Sequence, residues 1–432
     1  MKIFKSDELR FTKDFNDMIK IVLLNSLGFF FISFWIPVIA RTNMNATGIQ
    51  LSLVVSVQVL GRMISGFFTG FITDRIKSRT ILVLIGSYGR AISYFIIYAA
   101  IIANLMILLG IGTFFLGFMA GIFWVPFNTF VAEKSNKDNR SQAYGKRDSA
   151  NAIGQIIGSL LGFNLVMIAG VFTNKLFIIY SAIPVYGIGN FIAGLRFHRR
   201  VDESIKFLEN SYENKTQINK SSNKSSIFHS RAIIIGVIFL MSVLFLGSIN
   251  SSIARPFLNI YLLENIESNV NLVIWAYLPA GILATLFAPK LGAIVDRIRP
   301  SIGITVVSSL GALVTWLLIN SANIWIFAGL LLVDMTIMIA AGLIFQNLVS
   351  RISTEHRGKI LGIGEFFAFL GSFIGPILGG IVWDFMGPKF PFIISIFVEL
   401  SLIPLYLVVV FYLLPHLAES YYINHKRKEI KT

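Results

Sequence analysis

Long apolar stretches recur along the whole chain and are separated by short polar connections. Each holds roughly 17–25 residues, the length that an α-helix needs to cross the hydrocarbon core of a bilayer. The alternating pattern of membrane β-barrel strands is absent, so the pattern predicts helices. We predict twelve transmembrane helices, near residues 18–40, 48–72, 80–102, 104–132, 148–170, 175–196, 231–262, 269–290, 302–320, 323–350, 358–385 and 390–413.

The composition agrees with a lipid environment. Of the 432 residues, 55% are hydrophobic and 14% are charged, whereas soluble domains carry roughly 25% charged residues. The chain has no cysteine, which excludes disulfides and thiolate metal sites, and its five histidines are scattered singly in polar segments. Phosphate-loop and H-E-x-x-H motifs are also absent. We therefore expect neither an enzyme, nor a metal site, nor a cofactor.

Basic residues concentrate on one side of the predicted topology. The leader and every second connection hold most of them, whereas the opposite connections hold only Arg41, Lys175 and Lys389. Basic residues favour the cytoplasmic side of a membrane, so both termini are predicted to be cytoplasmic, in a multi-pass protein of the plasma membrane. The net charge of +15 thus reports topology. The partner that we expect is the lipid bilayer, and not nucleic acid.

The two halves of the chain carry one pattern twice. The single long polar segment, 198–230, has the composition of a flexible cytoplasmic linker. It divides the chain into a six-helix half at 1–197 and a second six-helix half with a short tail at 231–432. A Gly-x3-Asp-Arg motif follows the second and the eighth helix, at Gly70, Asp74 and Arg75 and again at Gly292, Asp296 and Arg297. A constant offset of 217 (357 − 140) relates Arg140, Gly145, Gly154, Gly158 and Gly162 to Arg357, Gly362, Gly371, Gly375 and Gly379.

With these motifs the chain resembles the major facilitator superfamily, in particular its drug/proton antiporter-like branch. Gly70, Asp74, Arg75 and Arg79 match the family's G-x-x-x-D-R-x-G-R-R signature, although Lys77 replaces the usual glycine. The resemblance implies an all-α membrane protein with two six-helix pseudo-repeats around a central cavity. It also implies that Asp74 caps helix eleven, that Asp296 caps helix five, and that Arg75 pairs with Glu133. The alternative is that these charges only end a helix.

Glycine spacing is the second signature. Antiporters of the family carry G-x8-G-x3-G-P-x2-G-G in helix five, which here lacks the proline and the last glycine, whereas helix eleven is complete. Glycines four residues apart let helices approach closely in lipid. Helix packing alone and a direct role in gating are both open for Gly154, Gly158, Gly162, Gly371, Gly375 and Gly379.

Charged residues within the predicted helices are the candidates for a cavity and for coupling. Each costs roughly 2.5–3.5 kcal/mol at the centre of a bilayer by insertion scales. Structural pairing is the alternative for the two arginines of helices two and three, and Glu399 is assigned to the scaffold because helix twelve faces outward in the family. The candidates, with polar and aromatic residues beside them, are Arg62, Arg90, Asp148, Arg255, Asp334, Glu365, Trp124, Asn128, Gln155 and Asn250.

These features predict secondary active transport of a small organic solute by alternating access. Protons are the expected coupling ion, because protonation of a carboxylate removes the cost of burying its charge. Efflux of amphipathic compounds by a monomer is the first interpretation. Proton-coupled uptake of a metabolite or sugar is the alternative within this class, and a non-transporting membrane sensor or scaffold is the alternative from another class.

The predicted topology can be tested by cysteine labelling. A cysteine at Ser222 (Ser222→Cys) lies in the predicted linker and would be the only thiol of the chain. An impermeant thiol reagent should leave it unlabelled in intact cells and label it after permeabilisation, because the segment is predicted to be cytoplasmic. Efficient labelling in intact cells would reverse the orientation.

Overall fold

The computed structural model describes residues 10–76, 78–136, 139–207, 231–295, 298–351 and 357–413. Within these ranges the chain is helical apart from short connections and one isolated bridge between Phe11 and Ser135. Contacts between Cα atoms divide the chain into two compact units, Met1–Asn223 (unit 1) and Lys224–Thr432 (unit 2).

Eight described helices belong to unit 1. They are α1 (Phe15–Ser26), α2 (Phe29–Thr42), α3 (Gly48–Arg75), α4 (Thr80–Ile102), α5 (Met106–Glu133), α6 (Arg140–Phe172), α7 (Leu176–Ile179) and α8 (Ala182–Arg200). The core includes the phenylalanines Phe123, Phe127, Phe130 and Phe197, which pack where α5 meets α8.

Seven described helices belong to unit 2. They are α9 (Arg231–Ile253), α10 (Arg255–Asn265), α11 (Val270–Val295), α12 (Pro300–Ile319), α13 (Ile324–Arg351), α14 (Arg357–Met386) and α15 (Phe390–Leu413). The core lies between α9, α12, α13 and α15, with Leu240, Ile304, Ile344 and Tyr406 among its buried residues.

The helices have the lengths and composition that a membrane requires. Within the described residues, 10 helical stretches are long and apolar enough to cross a bilayer, and α11 contributes a shorter apolar stretch, Val270–Ala284. Two of the 10 combine two consecutive helices, α1 with α2 (Phe15–Thr42) and most of α9 with α10 (Ile235–Asn265). The prediction of an all-α membrane protein is confirmed.

The two units pair their helices in the same order. In unit 1, α1 packs on α6 and α8, α5 packs on α3 and α4, and α4 packs on α8. In unit 2, α9 packs on α14 and α15, α13 packs on α11 and α12, and α12 packs on α15. The sequence repeat therefore has a counterpart in the packing within each unit.

The glycines of α6 set how closely this helix approaches α1. A Cβ atom added at Gly154 would lie 2.4 Å from the backbone oxygen of Leu23, and one at Gly158 would lie 1.8 Å from that of Leu27. One further turn along, a Cβ at Gly162 would lie 2.0 Å from the Tyr186 hydroxyl. Side chains larger than hydrogen at these positions would push α1 and α8 away from α6.

The glycines of α14 do the same against α9. A Cβ at Gly371 would lie 2.4 Å from the backbone oxygen of Phe245, and one at Gly379 would lie 2.1 Å from that of Ile253. Between them, a Cβ at Gly375 would lie 2.1 Å from the Ser252 hydroxyl. Both glycine rows thus allow backbone contact with the first helix of their unit.

Each unit interrupts its first spanning segment at a different place. In unit 1 the break falls at Leu27 and Gly28, between α1 and α2, and Pro37 lies within α2. In unit 2 the break falls at Ala254, and Pro256 takes an early position in α10. Proline is tolerated in a first turn because it lacks only an N–H that has no partner there.

The glycine contact can be tested by one substitution and its control. Gly158→Ala should lower the thermal stability by about 1–3 kcal/mol, because the added methyl group must displace the Leu27 carbonyl. In Gly170→Ala, on the same helix, the methyl group meets nothing within 4 Å. The control should stay neutral or gain up to about 1 kcal/mol from helix propensity. Equal stability of the two variants in a detergent melt would contradict the packing account.

Candidate functional site

A polar network in unit 2 surrounds the carboxylate of Glu399 on α15. This carboxylate accepts a short hydrogen bond from Asn250 Nδ2 on α9 and another from the Ser308 hydroxyl on α12. Ser395 Oγ, one turn before Glu399, donates to Asn250 Oδ1 at 2.8 Å. The network therefore connects three helices of unit 2 through one acid and one amide.

Asp334 on α13 brings a second carboxylate to this network. It accepts a hydrogen bond from Thr315 on α12, and it lies close enough to Glu399 for the two acids to repel each other. α12 itself has no ionisable side chain, and neither has Ile235–Ile253 of α9. Two like charges in a low dielectric favour the binding of a proton by one of them.

A polar network in unit 1 surrounds Arg90 on α4, whose side chain is 0% exposed. Its Nη2 donates to the backbone oxygen of Asn25 at 2.7 Å. Asn25 Nδ2 donates to Ser87 Oγ at 3.1 Å, and Ser87 Oγ donates to the backbone oxygen of Asn190 at 2.7 Å. The side chains of Arg90, Asn25 and Ser87, with the backbone oxygens of Asn25 and Asn190, therefore hold α1, α4 and α8 together.

These two networks occupy equivalent helix interfaces and carry opposite charges. The unit 1 network joins α1, α4 and α8, and the core of the unit 2 network joins α9, α12 and α15, which pair in the same order. The first contains the cation Arg90 and the second contains the acids Glu399 and Asp334. The charged residues therefore differ between the repeats while the supporting helices correspond.

Arg255 and Glu365 are exposed on the surface of unit 2. Arg255 is the first residue of α10, directly after the break at Ala254, and it interacts electrostatically with buried Tyr277 of α11. Glu365 lies on α14, next to Gly364, which packs against Leu244 of α9. Among the described hydrogen bonds, none connects these two candidates to the half-buried network of Asn250, Glu399 and Asp334.

The candidates of unit 1 fall into different environments. Arg62 is exposed on α3 and close enough to Arg90 to repel it. Asp148 is also exposed and pairs with its neighbour Arg147 at 2.6 Å, and Arg147 Nη1 donates to Asn128 Oδ1 at 2.5 Å. That contact connects α6 to α5.

Two further candidates of unit 1, Trp124 and Gln155, contact neighbouring residues of their own helices. Trp124 packs edge-to-face against Phe123 and Phe127. Gln155 is half-buried, and its backbone oxygen accepts a hydrogen bond from Ser159. Neither residue contacts the network of Arg90 through a described hydrogen bond.

Glu133 pairs with a different arginine from the one expected. Its Oε1 accepts a short hydrogen bond from Arg79 Nη1 and lies 3.4 Å from Lys206 Nζ. The predicted pair with Arg75 is therefore wrong, because the exposed Arg75 ends α3 whereas Arg79, at the start of α4, reaches the end of α5. The pair joins the connections after the second and fourth spans.

A buried lysine ties the N-terminal segment to the same region. Lys134, at the end of α5, is 1% exposed, and its Nζ donates to Asp14 Oδ2 at 2.6 Å. It also donates to the backbone oxygens of Asp202 and Ile205, at 2.7 and 2.9 Å. The three acceptors satisfy all three donors of the ammonium group.

Glu203 caps the amino terminus of α4. Its carboxylate accepts hydrogen bonds from the backbone N–H groups of Arg79 and Thr80 and from the hydroxyls of Ser78 and Thr80. Burial raises the pKa of Glu203, but these hydrogen bonds outweigh it, so the pKa lies below its ordinary value. We call this set of contacts among Asp14, Arg79, Glu133, Lys134 and 202–206 the clasp.

The clasp corrects one expectation about the linker. Residues 198–230 were expected to form a flexible linker, yet α8 continues to Arg200, and 201–207 is described and bonded to the rest of unit 1. Phe207 N, for example, donates to the backbone oxygen of Glu133 at 2.8 Å. The remaining part of the predicted linker, 208–230, lies outside the described residues.

Part of the signature loop also lies outside the described residues. This applies to Asp296 and Arg297, to the side chain of Asp74, and to the surroundings of Gly292. Gly70 is described on α3, where an added Cβ would meet nothing within 4 Å. The capping roles of the two aspartates therefore stay predictions.

Several site residues were missed or undervalued by sequence reasoning. Glu399 was placed in the scaffold because of its helix, although a glutamate in an apolar helix was itself a sufficient signal. Asp14, Lys134 and Glu203 lie in polar connections, where charges ordinarily face water. Their partners are 120 residues or more apart (Asp14 with Lys134, Arg79 N with Glu203), so no local pattern revealed them.

The comparisons with known proteins point to one family. The sequence profile of the Major Facilitator Superfamily matches residues 20–354. Among curated proteins, the chain is similar to the "Proton-coupled antiporter flippase LtaA" of Staphylococcus aureus (strain USA300), with 27% identity over 146 residues. That stretch covers 33% of this chain and 34% of the relative, so the likeness spans about a third of each protein.

Solved structures extend the likeness to almost the whole chain. A bacterial homologue of the human lysosomal transporter Spinster, in an inward-facing and unoccupied conformation, aligns with a TM-score of 0.74 and 12% identity, over 94% of this chain and 98% of that one. A bacterial homologue of the human peptide transporters PepT1 and PepT2 gives 0.67 and 14%, over 93% and 97%. At these identities the likeness shows the fold.

The cap provided by Glu203 predicts a pH-dependent stability. Glu203→Gln should destabilise unit 1 by about 1 kcal/mol at pH 7, the usual contribution of a helix cap. Because the pKa of Glu203 is lowered in the folded state, its contribution is present above the ordinary glutamate pKa and is lost as the pH falls through the folded value. Thermal melts of the two proteins should therefore differ at pH 7, and the difference should shrink as the pH falls below the ordinary glutamate pKa and through the lower folded value.

The matched control for this prediction is Glu267→Gln. The carboxylate of Glu267 accepts only one described hydrogen bond, from the backbone N–H of Asn269. It should melt within about 0.5 kcal/mol of the parent protein. A difference for Glu203→Gln that persists unchanged down to pH 4 would contradict the charge-based cap.

Proposed function

The chain belongs to the major facilitator superfamily, and on this premise we propose that it is a proton-coupled secondary transporter that exports an amphipathic organic solute by alternating access. As a member of that family it is a multi-pass membrane transporter and not an enzyme. The proposal adds the coupling ion, the direction and the class of solute.

The observation that carries the proposal is the pair of carboxylates in unit 2. Asp334 and Glu399 come from two spanning helices and repel each other. A single proton bound by the pair removes that repulsion and the cost of one buried charge. A group that gains stability from one proton in this way is suited to carry it across the membrane.

Asn250 connects the pair of carboxylates to α9, the helix that moves in the proposed cycle. Its amide bonds Glu399, and its own position on α9 is four residues before the break at Ala254. Proton uptake weakens the charge on the acceptor of this hydrogen bond, and charge-assisted hydrogen bonds are roughly twice as strong as neutral ones. Proton binding therefore loosens α9 from α15 in the proposed cycle.

The curated relative supports the class of solute. It is a flippase that its name describes as a proton-coupled antiporter, and a flipped molecule is amphipathic. The alternative is proton-coupled uptake of a metabolite or sugar, which would use the same acids but move the solute in the opposite direction. Measurements of the direction of solute flux distinguish uptake from export. A membrane sensor or scaffold predicts no flux.

We further propose that the clasp helps to hold unit 1 together on the cytoplasmic side during the cycle. In this account Asp74 caps the eleventh predicted span, which is α14, and Asp296 caps the fifth, which is α6. Both termini are cytoplasmic, and the protein works as a monomer with two six-helix halves. Arg255 and Glu365, both exposed on unit 2, are assigned to the solute cavity.

Proton coupling can be tested in liposomes that contain the purified protein. Asp334→Asn and Glu399→Gln should each abolish accumulation of an amphipathic dye driven by a pH gradient. Each variant should retain dye exchange without a gradient, because a pair in which an amide replaces one carboxylate no longer needs a shared proton. Asp384→Asn, an exposed acid at the end of α14, is the matched control and should accumulate dye normally. Full accumulation by both pair variants, or sodium-driven accumulation, would exclude proton coupling through this pair.

A further inference from the structure

Arg90 lies in surroundings that supply no described carboxylate. The rings of Phe29 and Phe123 lie over its guanidinium, with centroids 4.7 and 5.7 Å from Cζ. Its described hydrogen bond goes to a neutral acceptor, the backbone oxygen of Asn25. Arginine keeps its proton in proteins, so a full positive charge is enclosed among membrane-spanning helices.

Hydrogen-bonding atoms without a partner occur on this arginine and on the helices that it joins. Among the described residues of unit 1, nine buried side-chain nitrogen and oxygen atoms have no hydrogen-bond partner, and six of them belong to Arg90 or to residues of α1, α4 and α8, the helices that its network joins. They are Arg90 Nε and Nη1, Ser26 Oγ, Tyr94 Oη, Asn25 Oδ1 and Asn190 Oδ1. The Tyr94 hydroxyl lies beside the guanidinium, and its oxygen is among the buried atoms without a partner. Four of the six atoms can donate a hydrogen bond.

We propose that this network is a binding site for a small inorganic anion, with chloride as the ion of suitable charge and size. A water molecule could accept hydrogen bonds from Arg90, Tyr94 and Ser26, but it would add no negative charge to a cation whose described partners, a carbonyl and two aromatic rings, are all neutral. An anion accepts the same hydrogen bonds and neutralises the charge. In a low dielectric the attraction between the guanidinium and an anion is far stronger than that between the guanidinium and a water dipole, and a buried charge without a counter-charge is costly, so the anion is the better occupant.

The packing restricts the anion to a small one. A Cβ added at Gly28 would lie 2.6 Å from the Tyr94 hydroxyl oxygen, and two phenylalanine rings cover the guanidinium. Arg90, Tyr94 and Ser26 are each 0% exposed. A phosphate group or the carboxylate of a transported solute is therefore too large, and the site is separate from the proposed transport of a solute.

The anion would stabilise the break in the first spanning segment. Ser26 is the last residue of α1, Gly28 precedes α2, and the Asn25 carbonyl already bonds Arg90. An anion that joins Ser26, Tyr94 and Arg90 connects this break to α4. Its predicted effect is a structural one, on the stability of unit 1.

The site can be tested by thermal melts of the full-length protein in chloride and in gluconate at equal ionic strength. Gluconate is too large to enter. The unfolding temperature of the parent protein should rise with chloride and saturate, as it does for a ligand that binds only the folded state. Ser26→Ala and Tyr94→Phe should each raise the half-saturating chloride concentration by about tenfold, because each removes one hydrogen bond to a charged group.

Tyr98→Phe is the matched control, since Tyr98 lies one turn along α4 and donates to the Phe177 carbonyl at 2.6 Å, outside the network. It should keep the parent's chloride dependence. A crystal grown in bromide should show an anomalous peak within hydrogen-bond distance of Arg90. Equal unfolding temperatures in chloride and gluconate, or the same chloride dependence in all three variants, would overturn the proposal, as would a bromide-free site that contains water only.

Discussion

A charge among membrane-spanning helices must be compensated inside the protein, because the hydrocarbon offers neither water nor counterions. Both units meet this constraint at the same place, where the first spanning segment contacts two supporting helices. In unit 1 the charge is the cation Arg90, held by a carbonyl and aromatic rings. In unit 2 the charges are the acids Glu399 and Asp334, held by an amide and hydroxyls.

The same first segments also receive the closest backbone contacts of the fold. α6 approaches α1 through Gly154 and Gly158, and α14 approaches α9 through Gly371 and Gly379. Each segment is therefore fixed on one side by glycine contacts, which are insensitive to pH, and on the other by a polar network. Of these two networks, as far as their residues are described, that of unit 2 contains the carboxylates, so in the proposed cycle the coupling proton binds in unit 2.

The sequence predicted the helices, the repeat and the positions of the buried charges. Apolar stretches of membrane length and the 217-residue offset are visible in the sequence alone, without three-dimensional information. The partners of each charge were not predictable in the same way. Glu133 pairs with Arg79 and not with Arg75, because the turn between α3 and α4 decides which arginine points at α5. Lys134 and Asp14 lie in polar connections of the sequence, which are ordinarily exposed, but both side chains are buried in the folded unit.

The central claim is that proton binding by the pair of acids shifts the conformational equilibrium of the transporter. Spin labels at Thr173→Cys and Asn320→Cys, which end α6 and α12 on the predicted outer side, would report the distance between the units. In lipid nanodiscs the account predicts a distance distribution that changes between pH 8 and pH 5. The change should be absent when Asp334→Asn and Glu399→Gln are combined. An identical pH response with and without these two substitutions would contradict the account.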